Sequence, residues 1–267
     1  MNESIENINL SNSDVRTSKF NKKSLILILN YFISPILILI VFFNLLKNST
    51  IMENLMSSGF VSIFFKNNKY LLENEELFNK FFTSVLSSIA TFITFIIAVL
   101  LSKKRNDSIS IKKSETSLKK LLLFGIGLGI FMILWNIIIS YLYPLLGLTF
   151  KSKNTGSLFE SLKFNKLLIL NILIAAPLGE EIAFKYGIFT FFHEIFQYKG
   201  IFLKVILPAF VSAFTFAVIH DGLYLVPLYI VPSFIGCLIY KNTSSLLPCV
   251  LGHFLNNFLA LIMTLYN

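Results

Sequence analysis

Hydrophobic positions along this 267-residue chain come in long unbroken runs, and most charged positions fall between them. Uncharged windows at 24–46, 81–102, 121–150, 222–240 and 242–267 each reach the ~17–25 residues that a helix needs to cross a bilayer. Two shorter apolar windows, 167–179 and 205–220, become spans only if ionisable residues enter the membrane with them. The pattern predicts an all-α fold, a polytopic transmembrane helix bundle of about seven helices. An eighth embedded or interfacial helix is allowed for in 47–80, where Met, Leu and Phe mix with Lys and with Glu73, Glu75 and Glu76. Residues 1–23 form a polar tail without helical apolar periodicity and are expected to be disordered. Residues 24–120 then make an N-terminal transmembrane pair with an interfacial loop and a basic loop, and residues 121–267 make the core that carries the chemistry. No internal repeat is visible.

Composition agrees with that pattern. Hydrophobic residues make up 55% of the chain and charged residues only 14%, with a mean hydropathy of +0.74, against roughly 25% charged residues in a soluble domain. The lipid bilayer is therefore the expected partner. The first apolar run is longer than the ~7–15 residues of a signal-peptide core and is interrupted by Asn30 and Pro35, so it is read as a retained anchor. Net charge is +9, and Lys103, Lys104, Arg105, Lys112, Lys113, Lys119 and Lys120 fall in one loop, which the positive-inside rule places in the cytoplasm. The N-terminus then lies in the cytoplasm too, and seven spans put the C-terminus outside. Because the lysines flank apolar spans and form no separate basic face, no nucleic acid is expected as a partner. Only two of the 23 basic residues are arginines, and Asn, Ile and Phe abound, as in an AT-rich genome. The expected location is thus a bacterial plasma membrane, multi-pass. Cys237 and Cys249 both lie in apolar windows and are read as packing residues, with no disulfide framework indicated.

The informative residues are the polar ones inside apolar runs. The segment 167–192 carries Glu180, Glu181 and Lys185, each of which costs ~2.5–3.5 kcal/mol at the centre of a membrane helix unless paired or solvated. Glu181 and Lys185 stand at i and i+4 in the favourable order and can pair. Glu180 lies about 100° around the helix from Glu181, so the two carboxylates face different surroundings and can do different work. His220 ends the 205–220 window, with Phe216 and Ser212 on the same face one and two turns earlier. In the last window His253 and Asn257 stand at i and i+4 and aim an imidazole and a carboxamide into one space. His193, beside Glu194 at a helix end, is read as interfacial. One glutamate, two histidines and an asparagine from three helices supply a base for water and donors for a developing oxyanion.

Three patterns, EEIAFK (Glu180 to Lys185), FxxxH (Phe216 to His220) and HxxxN (His253 to Asn257), occur in that order. On these the sequence resembles the CAAX protease and bacteriocin-processing family of intramembrane endopeptidases, also called the Abi family, over roughly residues 120–265. One departure is Lys185, where the family pattern EExxxR has arginine.

The resemblance implies hydrolysis of a peptide bond in or near the bilayer, with a membrane-associated peptide or protein as substrate, in bacteria one related to bacteriocins or signalling peptides. Glu180 would activate water, with His220, His253 and Asn257 placing it and stabilising the oxyanion, and Glu181, Lys185 and Phe216 in support. No cofactor is expected. Zinc held by Glu180, His220 and His253 is the alternative, though HExxH spacing is absent and no fourth protein ligand is evident. Two rival readings stand beside the protease. One is an inactive immunity or scaffold protein of the same fold, which the Lys185 departure keeps open. The other is a transporter or proton relay, which would call for an inverted repeat.

Overall fold

A computed structural model describes residues 22–59, 73–102 and 115–266. Every regular element among them is helical: α1 (Lys22–Leu46), α2 (Ser49–Ser57), α3 (Glu75–Ser102), α4 (Leu118–Leu145), α5 (Lys153–Leu162), α6 (168–195), α7 (Phe202–Asp221), α8 (Val226–Thr243) and α9 (Leu247–Tyr266). The expectations for residues 1–21 of the tail, for residues 60–72 and for the basic loop at 103–114 lie outside the described residues.

Five helices, α1, α3, α4, α7 and α9, are long and apolar enough to cross a membrane, and the protein is a multi-pass integral membrane protein. This is fewer than the seven read from the windows, for reasons visible in the two remaining helices. In α6, which contains π-helical stretches at Asn171–Ala175 and Ile182–Phe189, the three charges of Glu180, Glu181 and Lys185 sit in mid-helix and break its apolar run. The other, α8, is only 18 residues long and ends in the polar Lys241, Asn242 and Thr243. In the 121–150 window the helix stops at Leu145, just after Pro144, and Gly147 turns the chain in a left-handed conformation (φ 71°). Aliphatic side chains such as Ile36, Leu37 and Val41 of α1 and Leu123 and Ile130 of α4 stay half exposed, making an apolar outer surface suited to lipid.

Inside, the helices meet through aromatic rings and small residues. Leu27 of α1 and Ala98 of α3 share one buried cluster with Ile182, Tyr186 and Phe189 of α6, Ala209 of α7 and Cys237 and Tyr240 of α8. Polar side chains join neighbouring helices: Asn30 Nδ2 donates to the Thr94 carbonyl at 3.1 Å, and Asn165 Nδ2 donates to Ser84 and Ser88 at 2.9 and 3.1 Å. Against α4, α9 runs along a seam of glycines. A Cβ on Gly125 would stand 2.8 Å from Leu251 Cδ2, and one on Gly252 would stand 3.0 Å from Leu128 Cβ. Close approach of this kind is how helices associate where lipid removes the hydrophobic drive. It fixes the register in which α9 presents His253 and Asn257.

Candidate active site

A cavity of about 1010 Å³ opens among α1, α3, α4 and the helices α5 to α9, and Glu180, Glu181, Lys185, Phe216, His220, His253 and Asn257 all lie on its wall. The pairing read from the sequence is present. Lys185 Nζ meets Glu181 Oε2 at 2.8 Å, with both side chains almost fully buried. The same ammonium lies 3.4 Å from Ser233 Oγ and 5.4 Å from the centre of the Phe216 ring. Glu181 uses its other oxygen on α9, where Oε1 stands 3.1 Å from His253 Nδ1.

Glu180 faces elsewhere, as its position around the helix requires. Its Oε2 lies 3.5 Å from His220 Nε2 and 3.6 Å from His253 Nε2. Each imidazole has its other nitrogen against an acceptor: His220 Nδ1 is 2.8 Å from the Phe216 carbonyl and His253 Nδ1 is 3.1 Å from the Glu181 carboxylate. Each Nδ1 has the closer acceptor, at 2.8 and 3.1 Å against 3.5 and 3.6 Å for Nε2, which favours the proton on Nδ1 and in a neutral ring leaves a lone pair on Nε2. Three acceptors, one carboxylate oxygen and two imidazole nitrogens, therefore converge on one place. Their separations are just beyond direct hydrogen bonding and suit a shared water or proton. The donor types are those of a three-ligand zinc site, but among the described residues no group of three or more His, Cys, Asp or Glu side chains is placed to hold a metal ion.

The aromatic FxxxH partner is in place too. The Phe216 ring lies 4.1 Å from the His220 ring, and Ser212 donates at 2.7 Å to the Phe184 carbonyl, locking α7 to α6. Asn257 is placed differently from the histidines. In the first π-helical stretch the Ala176 N–H is given to the Asn171 carbonyl, and the next residue, Pro177, has no N–H to give. The Ile172 carbonyl takes its hydrogen bond from Asn257 Nδ2 instead, at 2.9 Å. Asn257 Oδ1 in turn lies 3.4 Å from Asn256 Nδ2, and Asn136 Nδ2 donates to Asn256 Oδ1 at 2.8 Å. One N–H of Asn257 thus braces α6, leaving the other for the cavity.

Several polar residues on or near the cavity have no counterpart in the three patterns. Asn136 and Asn256 were legible by the rule that singled out His253, a polar group inside an apolar span, but Asn136 lies 120 residues from its partner. Asp221 follows His220 directly and reads as a mere span boundary. It accepts from Ser152 Oγ at 2.7 Å and from the Tyr229 hydroxyl at 2.6 Å. His193 stands in the last turn of α6 and is buried against protein, with Nδ1 2.6 Å from the Lys204 carbonyl and its ring stacked on Phe189.

Fold and site together define a polytopic helical membrane protein with a buried glutamate–imidazole centre between its helices. Residues 163–259 match the family described as type II CAAX prenyl endopeptidase Rce1-like, and this stretch is an Rce1-like domain of the CAAX protease and bacteriocin-processing family. The buried Glu180 and Glu181 with His220 and His253 are consistent with that family's catalytic site. The match runs from the end of α5 into α9, so α4, inside the expected 120–265, lies outside it. Comparison with curated proteins and with solved structures gave no match.

Proposed function

We propose that this protein is an intramembrane endopeptidase whose nucleophile is a water held by Glu180 and the two imidazoles. The observation that carries the reading is the convergence of Glu180 Oε2, His220 Nε2 and His253 Nε2 within 3.5–3.6 Å on one wall of the cavity. Glu180 takes one proton from the water, and the oxygen attacks the carbonyl carbon of the scissile peptide bond. The oxyanion is met by the free N–H of Asn257 and by an imidazole able to share the proton. Glu180 returns its proton to the leaving nitrogen, the C–N bond breaks, and a carboxylic acid and an amine are formed, the acid's proton passing to the amine so that they depart as carboxylate and ammonium. Glu181 and Lys185 hold His253 and α6 in place without touching the substrate.

The ion pair between Lys185 and Glu181 favours an active enzyme over an inactive scaffold, since lysine here performs the charge pairing that the family pattern gives to arginine. Substrates are membrane-associated peptides or proteins, with processing of bacteriocins or signalling peptides, or self-immunity, as the biological setting. The protein sits in a bacterial plasma membrane with seven passes, α6 and α8 included, and a cytoplasmic N-terminus.

Purified protein in detergent, incubated with membrane peptides, tests the assignment. Glu180→Gln is expected to lower cleavage by roughly 10²–10⁴-fold, the usual contribution of a general base. Equal cleavage by wild type and variant would sink it. The chemistry is proposed to need no metal, so exhaustive treatment with a chelator is expected to leave the rate unchanged; loss of cleavage restored by added zinc would assign Glu180, His220 and His253 to a metal instead.

A further inference from the structure

His220 stands in the last turn of α7, one residue before the helix ends at Asp221 and Gly222 turns the chain with a φ of 68°. Helix ends lack half of their internal hydrogen bonds and fray, so a side chain that must meet Glu180 to within a fraction of an ångström needs support from outside its own helix. Two elements supply it. Asp221 Oδ2 accepts from the hydroxyl of Ser152, whose oxygen also caps α5 by taking the Thr155 N–H at 3.0 Å. The same carboxylate oxygen accepts from Tyr229, in the first turn of α8. Held in this way, the Tyr229 ring lies 5.0 Å from the His220 ring, tilted by 38°, while Phe216 lies 4.1 Å away and is tilted by 36°. His220 is thus packed against two aromatic rings, with its Nδ1 committed to the Phe216 carbonyl and its Nε2 directed at Glu180.

We propose that Tyr229 and Asp221 are positioning residues for His220, anchored through Ser152 to the start of α5. The proposal rests on the reading that Glu180 and His220 act on the water, and it adds to that site three residues outside the EEIAFK, FxxxH and HxxxN patterns. Asp221 acts through Tyr229: its carboxylate fixes the phenol, and the phenol ring limits rotation of the imidazole, so that one tautomer and one orientation are held.

The chain has three histidines, so ring ¹⁵N resonances of the full-length protein in detergent micelles can be assigned with single His→Gln variants. In wild type, His220 is expected to give one set of signals, with a protonated Nδ1 and a bare Nε2. Tyr229→Phe, which removes only the hydroxyl, and Asp221→Asn, which keeps the shape, are each expected to broaden those signals or split them between tautomers. Each is also expected to lower kcat roughly tenfold with KM unchanged, and the double variant to be no worse than either single one. Tyr224→Phe is the control. Its hydroxyl donates to the Thr149 carbonyl at 2.9 Å in the segment before α5, and loss of that bond is expected to leave the His220 signals and kcat at wild type. Unaltered His220 resonances in both Tyr229→Phe and Asp221→Asn overturn the proposal, as does an equal loss of kcat in Tyr224→Phe. Full activity in Glu180→Gln would instead remove the reading of the site, and the ring signals would still decide whether Tyr229 and Asp221 hold His220.

Discussion

Lys185 shows how a single side chain can depart from a family pattern and keep its task. A lysine offers a point charge on a flexible stem where arginine offers a planar fork, and here the stem passes so close to α8 that a Cβ on Gly236 would lie 2.9 Å from Lys185 Cε. The charge arrives at Glu181 at 2.8 Å and also meets Ser233. Lys185→Met would leave the Glu181 carboxylate buried without its cation, a loss of about 3–5 kcal/mol; a large drop in melting temperature in detergent is expected, together with loss of cleavage. Lys185→Arg retains the charge but adds volume beside Gly236, and about 1–3 kcal/mol of overpacking is expected in the same measurement. At this scale the sequence was readable wherever a residue broke the chemistry of its surroundings: Glu180, Glu181 and Lys185 stand out of an apolar run, and His253 and Asn257 do the same. Asp221 and Tyr229 were not, because a charge at the edge of a span and an aromatic near an interface are ordinary there, and their meaning comes from each other and from Ser152, 69 residues upstream of Asp221.

Among the elements, α6, α7 and α9 carry the site, and different features set the positions of α6 and α9. For α9 it is the glycine seam with α4. Gly125→Ala would drive a methyl group to 2.8 Å from Leu251 Cδ2, whereas Gly127, in the same helix, has nothing within 4 Å of its would-be Cβ. Gly125→Ala is therefore expected to cost about 1–3 kcal/mol and to shift α9, lowering cleavage. Gly127→Ala is expected to be neutral or to stabilise by up to about 1 kcal/mol through helix propensity. Melting temperature and cleavage rate measured on the two variants side by side check both. For α6 it is the pair of π-helical stretches, a feature often found at functional sites, the first of them braced by Asn257 on the Ile172 carbonyl. Apolar windows gave the helices and their approximate ends. They could not show π-helical turns, since these leave composition and hydrophobicity unchanged and arise from where Pro177 withholds a donor and where neighbouring helices supply one.

For the whole molecule, the question that composition leaves between five and seven passes turns on α6 and α8. The 28 residues of α6 would extend ~42 Å as a regular helix, enough for a ~30 Å hydrocarbon core, and its mid-helix charges, Glu180, Glu181 and Lys185, lie on the cavity wall. A helix whose charges are paired internally can cross even though its hydropathy argues against it. Cys237 and Cys249 are fully buried, so cysteines introduced at exposed sites report topology with little background. With a cytoplasmic basic loop and seven passes, Glu115→Cys and Lys199→Cys are expected to react with a membrane-impermeant maleimide only from the cytoplasmic face, and Thr149→Cys and Leu223→Cys only from the outside. If α6 does not cross, Lys199→Cys will be modified from the same side as Thr149→Cys. That outcome would turn the buried acids into residues of a re-entrant helix.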